Sequence, residues 1–216
     1  MLKKLEESKL IEILETGISK FSQYGIEKTN INIVAKKAGV SVGVLYKYFK
    51  SKDDFFMACL KHSLAVLSNV IDEALQGEQK ILARAEKLIR AVQKNAREHE
   101  NYNAMYHEIT SGSFKKHSAV LAKEIESISA KVYAEFLLQA QKEGEIRSDA
   151  DPRLFAFFFD SLLITLQFSY SCDYYRERFL IYCGEDILDN DEKVVKELLK
   201  FLESAFTTSQ SEIKHA

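Results

Sequence analysis

One proline and eight glycines in 216 residues leave this chain very few places to turn sharply. A strand-rich fold needs turn residues about every 8 to 12 positions, so such a chain is predicted to be all-α. The glycines also segment it. Leu10, Ile11, Leu14, Ile18 and Phe21 recur at helical spacing, and Gly25 follows where a left-handed terminal residue is wanted. Thr29 or Asn30 can cap a short second helix through Val34, Ala35 and Ala38, which Gly39 closes. Ser41 then caps a third, Val42 to Phe49. Ser51-Lys52-Asp53-Asp54 reads as a capping box for a longer fourth helix ending at Gly77. Further helices are expected around 81 to 98, from 101 to 110 up to Gly112, from about 114 to Gly144, from Asp151-Pro152 to Phe168, and from about 190 to 206. Residues 172 to 184 fit either an extension of the preceding helix or a separate turn. The total is about nine helices.

Apolar residues make up 46% of the chain and charged residues 29%, a globular balance, and no apolar run approaches the ~18 residues of a membrane span. The opening Met1-Leu2-Lys3-Lys4-Leu5-Glu6-Glu7 has no apolar stretch with a cleavage site, so a cytoplasmic protein without a membrane partner is expected. Cys59, Cys172 and Cys183 are an odd, widely spaced set, which fits reduced, packed thiols better than disulfides or zinc. The net charge of −2 is unevenly spread: residues 1 to 52 carry +5 and the remainder −7. A basic module on an acidic body suggests a polyanionic partner for the small part alone.

Two short helices joined by a glycine turn are the pattern of a helix-turn-helix, whose second helix enters the DNA major groove. Ala35, Ala38, Val40, Leu45 and Phe49 can form its miniature core, leaving Val42, Gly43, Val44, Lys47 and Tyr48 on the outer face of the third helix. Two valines and a glycine facing outward make sense if that face meets something, since Gly43 admits close backbone approach and valine methyls can touch thymine methyls. With hydrogen bonds to bases available only from Lys47, Tyr48 and Asn32, thymine methyls and DNA shape are expected to carry much of the selectivity.

The run Val34-Ala35-Lys36-Lys37-Ala38-Gly39-Val40-Ser41-Val42-Gly43-Val44-Leu45-Tyr46-Lys47-Tyr48-Phe49-Lys50-Ser51-Lys52 resembles the DNA-binding domain of the TetR family of bacterial transcriptional regulators. The likeness is dense from residue 8 to 56. It continues more loosely in Gly144-Glu145-Ile146-Arg147 ahead of the Asp-Pro helix. Val34 stands where the family has isoleucine, and Asn30 and Asn32 where threonine and a basic residue are common. The resemblance implies that Tyr46 and Lys52 bind phosphate, and that Ser41, Val42, Gly43, Val44, Lys47 and Tyr48 face bases or nearby backbone. Thr29, Asn30 and Asn32 are further phosphate candidates. It also implies an N-terminal three-helix DNA-binding domain over residues 1–52 and a larger helical ligand-binding and dimerisation bundle over 53–216.

So small a reader of DNA calls for two copies across a palindrome, hence a homodimer. The helix from Leu154 to Phe168 is apolar on almost every side and the last helix is striped. Phe158, Leu162, Leu166, Val195, Leu199, Leu202 and Phe206 are therefore assigned to an intermolecular four-helix interface. The resemblance further implies an inducer pocket, with Tyr102, Met105, Tyr106, His107, Tyr133, Phe136, Phe155, Phe159, Leu163, Gln167 and Tyr170 as its candidate walls, suited to a flat or lipophilic small molecule. No cofactor or metal is expected. Neither a phosphate-cradling glycine loop nor a nucleophile elbow occurs, and His62, His99, His107, His117 and His215 have no metal-ligand spacing, so an enzyme is not expected. The reading is a ligand-released repressor; the alternative is a related DNA-binding protein without an inducer, architectural or governed by a protein partner.

Overall fold

The computed structural model describes residues 5–77, 80–110 and 118–207. Among them are α1 (Glu7–Lys28), α2 (Ile31–Lys37), α3 (Val42–Tyr48), α4 (Lys52–Leu75), α5 (Ile81–Glu98), α6 (Glu100–Glu108), α7 (Ser118–Lys142), α8 (Pro152–Ser171), α9 (Asp173–Cys183) and α10 (Asp191–Phe206), with a 3-10 segment at Glu185–Asp189 and no strand. The helix beyond the expected nine is α9, in the span that sequence left open. It is separate because Cys172 is extended (φ −128°, ψ 126°) while its N–H still closes the end of α8 on the Phe168 carbonyl. The boundary expected at Gly112, and the start of α7 near 114, lie outside the described residues.

Side chains close the helix starts as the sequence predicts. Asn30, rather than Thr29, caps α2 by accepting from the Asn32 N–H at 2.9 Å. Ser41 accepts from Val44 N–H at 3.2 Å, and Ser51 from Asp54 N–H at 3.0 Å. Asp151 accepts from Arg153 N–H at 2.8 Å ahead of Pro152. Gly39 (φ 65°) ends α2 in a Schellman turn: Val40 N–H reaches the Ala35 carbonyl at 3.0 Å and Gly39 N–H that of Lys36 at 3.2 Å. α1 departs from expectation, bending at Gly25 (φ 68°, ψ 171°) and running one turn further to Lys28.

Two cores result. The head core joins Ile13, Ile18 and Phe21 of α1, Val34, Ala35 and Ala38 of α2, and Leu45 of α3 to Phe55, Phe56, Cys59 and Leu60. Those last four lie in the first turns of α4, so the head's packing runs past the boundary drawn at residue 52. Met105, Ile109 and Leu121 close the same core from the body side. The body core takes Ile71 and Ala74 of α4 and the inner faces of α5, α7, α8 and α10. By length and composition α4 and α8 could each cross a membrane, although neither is an unbroken apolar run, and each packs part of its surface into these cores. Cys59 and Cys172 are buried; Cys183 is exposed, contrary to the expectation that all three thiols are packed.

Gly17 is where α1 and α4 meet closely. A Cβ there would lie 2.4 Å from Phe55 Cζ and 2.6 Å from Cys59 Sγ. At Gly43, on the outer face of α3, it would meet nothing closer than Ser41 Oγ at 3.8 Å. Gly17→Ala is therefore expected to destabilise the protein by about 1–3 kcal/mol, while Gly43→Ala leaves stability nearly unchanged. Equal urea midpoints for the two variants would refute the tight contact.

Candidate functional site

The outer face of the helix-turn-helix is held from beneath. Leu45 is fully buried and anchors α3, which turns Ser41, Gly43, Tyr46 and Lys47 to the exterior with Val42 and Val44 half-exposed beside them. Asn30 and Asn32 are exposed at the start of α2. The remaining predicted contacts have internal partners. Thr29 is 4% exposed, its hydroxyl donating to the Gly25 carbonyl at 2.6 Å, so it braces the α1 bend and turns no hydroxyl outward. Tyr48 accepts from Leu5 N–H at 2.7 Å, and Lys52 donates to the Glu27 carbonyl at 3.0 Å. Sequence reasoning missed Lys20. Its pKa is lowered, first by desolvation and then by the ammonium of Lys37 nearby, so two cations share this flank of the head.

Head and body are joined by α6. Tyr102 donates to the Glu15 carboxylate of α1, which also faces His62 Nε2 of α4 at 2.9 Å; His99 stacks on the Tyr102 ring at 4.7 Å. One residue along, Asn103 accepts from Gln167 Nε2 of α8 at 2.6 Å. One turn beyond Tyr102, Tyr106 donates to Glu126 of α7 at 2.8 Å. Helical periodicity thus puts a head contact and two body contacts on a nine-residue helix.

Tyr106 and Gln167 open onto a cavity of about 50 Å³ between α4, α6, α7 and α8. Leu64, Leu67, Ile71, Val92, Ile125, Leu163 and Ile164 supply its apolar wall; Ser68, Glu126, Ser129, Tyr133 and Asp160 supply the polar side. Four of the eleven residues predicted for a pocket are here: Tyr106, Tyr133, Leu163 and Gln167. Phe159 sits edge-on to the Tyr133 ring at 5.4 Å, outside the lining. Tyr102 and Met105 serve the head contact, and His107 packs on Phe168 and Tyr175. Phe136 lies in the body core under Arg84, and Phe155 packs on Phe206. Tyr170 is held by Gln93 at 2.9 Å and Asp191 at 3.0 Å beneath the Arg97 guanidinium; burial first, then Asp191, pushes its hydroxyl up to about 12. Phe155 and Phe159 line a separate groove against α10 instead, and the other five stand apart because cores claim large side chains wherever helical spacing allows.

Glu126, Ser129 and Asp160 were missed. Asp160 was findable: it is the one charge between Leu154 and Ser171 in an otherwise apolar helix. Burial, reinforced by Glu126, raises its carboxyl to about 6 against a hydrogen bond from Ser129 that lowers it. Among the described residues no group of three or more histidine, cysteine or acidic side chains could hold a metal.

The surfaces assigned to dimerisation divide. Leu166, Val195, Leu202 and Phe206 are buried in the chain's own body core, because the stripe of α10 packs inward against α5 and α8. Phe158 is exposed and Leu162 and Leu199 half-buried. The outward apolar surface runs instead along Leu154, Phe157, Phe158 and Phe201. Two open grooves, of about 390 and 510 Å³, flank Leu162 and Thr165 between α8, α9 and α10.

The family model for bacterial regulatory proteins of the tetR family matches residues 13–59, from α1 into α4. The HTH-type transcriptional regulator YhgD of Bacillus subtilis is 25% identical over 164 residues, covering 73% of this chain and 82% of that one. The nucleoid occlusion factor SlmA of Haemophilus influenzae is 24% identical over 188 residues, covering 86% and 79%. Among solved structures, the transcriptional regulator FadR of Bacillus subtilis, in complex with stearoyl-CoA, superposes with a TM-score of 0.69 at 19% identity, covering 88% of this chain and 97% of that one.

The carboxyl of Asp160 holds its proton in the folded chain at pH values where the unfolded chain has lost it. Stability therefore falls as pH rises from about 4 to about 6, and the penalty stays in full above that. Asp160→Asn is expected to raise the melting temperature at pH 7.5 by several degrees, at about 2–4 °C per kcal/mol for a chain of this length, with the gain fading as pH falls from about 6 and gone near pH 4. A gain that does not change with pH would refute the assignment.

Proposed function

Because the chain belongs to the TetR family of bacterial regulatory proteins, in which it is a transcriptional regulator, we propose that it binds a palindromic operator as a homodimer and leaves it when a small lipophilic or aromatic molecule enters the body cavity. The observation that carries this is the head: an α3 anchored by Leu45 and Phe49 presents Val42, Gly43, Val44, Tyr46 and Lys47 on one outer face. In that reading Tyr46, with Asn30 and Asn32, grips phosphate. Lys47 and the valine methyls meet base edges, and the free N–H groups at the helix starts add positive potential. Selectivity then leans on thymine methyls and groove shape more than on hydrogen-bonded readout.

Release follows from how α6 is tied. A molecule in the cavity presses on Tyr106 and on the Gln167–Asn103 pair, and the same helix carries Tyr102 against Glu15 of the head. α4 runs alongside, lining the cavity with Leu64, Leu67 and Ile71 and entering the head core with Phe55 and Phe56. Occupancy shifts the head only if the molecule prefers the arrangement that does not fit DNA. A second reading, regulation without an inducer, is favoured by the likeness to the nucleoid occlusion factor across most of both chains.

Selection of random duplexes on the purified protein tests the reading. An enriched palindrome is expected, with affinity falling steeply with salt. Tyr46→Ala and Lys47→Ala should each weaken binding about fivefold or more, and Lys47→Ala should also relax selectivity at one position of each half-site. No enrichment, or equal binding by wild type and both variants, would sink it. For the dimer, Phe201→Asp is expected to give folded monomers with lost operator affinity, whereas Phe206→Asp should unfold the body. A Phe201→Asp protein that remains dimeric by light scattering would rule out the α8–α10 surface.

A further inference from the structure

The body cavity has one sign of charge. Glu126 and Asp160 stand on its wall, and no lysine, arginine or histidine lines it among the described residues. Neither carboxylate has a salt-bridge partner there: Glu126 accepts from the Tyr106 hydroxyl, and Asp160 has Ser129 as its hydrogen-bond partner. The other groups facing Asp160 are the Tyr106 and Tyr133 hydroxyls, the Gln167 amide and the apolar side chains of α4 and α5.

A second observation is independent of the acids. Tyr133 is 2% exposed, lines the cavity, and its hydroxyl has no hydrogen-bond partner among the described residues. Buried hydroxyls are ordinarily paired, and one aimed into a cavity is suited to pairing with what enters it. Beside Gln167, the Asn103 Nδ2 is likewise buried without a partner. Two carboxylates held together in an apolar setting repel one another, and a cation between them relieves that repulsion. The aromatic faces of Tyr106 and Tyr133 add attraction for positive charge.

From this arrangement we infer that the cavity selects a small organic cation, an ammonium carried on a short apolar chain, and disfavours carboxylates and phosphates. The ammonium sits between Asp160 and Glu126, and its apolar chain lies against Leu64, Leu67 and Ile71. The inference rests on taking this cavity as the effector site, and it separates this chain from a regulator built for an anionic acyl compound.

Calorimetric titration of the full chain at pH 7.5 with ethylamine, ethanol and acetate tests it, since the three share a two-carbon frame, suit a cavity of about 50 Å³ and differ in head-group charge. The amine is expected to bind about tenfold more tightly than the alcohol and more tightly still than the acid. Asp160→Asn should bring amine and alcohol within about threefold, and Glu126→Gln should narrow the gap in the same direction. Three results would overturn the inference: acetate binding tightest, an amine preference untouched by both substitutions, or no binding of any probe by wild-type protein of normal helicity. Duplex binding measured on the same preparation keeps the two readings apart. Loss of DNA binding with the amine preference intact removes the regulator, and the converse removes only the cation.

Discussion

The packing of α4 is the constraint on which both halves of the molecule depend. Its first turns complete the head core through Phe55, Phe56, Cys59 and Leu60, and its last turns complete the body core through Ile71 and Ala74. Without those four side chains the three N-terminal helices have too little apolar surface to hold together, since α2 and α3 are two turns each. Head and body are therefore two cores threaded by one rigid element, and the middle of that element forms a cavity wall.

A second tie, chemically different, runs through α6. Where α4 is held by apolar packing, α6 adds to the packing of Met105 three hydrogen bonds to other helices: Tyr102 on Glu15, Tyr106 on Glu126, Asn103 on Gln167. Polar ties have defined geometry and break over small displacements, whereas packed apolar side chains give way gradually. The two connections respond differently to the same push. In the proposed mechanism this pairing would let a small volume change beside Tyr106 register at α1, across a helix of nine residues.

Much of the fold was legible because its signals are local. The caps at Asn30, Ser41, Ser51 and Asp151, and the left-handed Gly39, depend on a few neighbouring residues and fall where the sequence indicates. α9 was not legible, because its start depends on the extended backbone of Cys172 and its face carries no clean apolar stripe. Thr29 illustrates the limit within the head: its residue type suits a phosphate contact, but the bend at Gly25 turns its hydroxyl inward. In the body, Phe136 and Tyr170 suit a pocket wall by residue type yet pack in the core, because aromatic residues serve cores and cavities alike and only helix register decides which. The stripe of α10 failed in the same way, since a stripe records that a face is covered and not by whom.

Gly17 gives the α1–α4 crossing a mechanical character. The Phe55 ring occupies the space a side chain would fill, so one helix cannot slide along the other without expelling the ring. Turning about that ring requires no such expulsion. The crossing is thus a fulcrum near one end of a helix of 24 residues, about 36 Å long. With the cavity-lining Leu64, Leu67 and Ile71 on the long arm, a displacement there would be converted into rotation of the head, in a direction set by a missing methyl group.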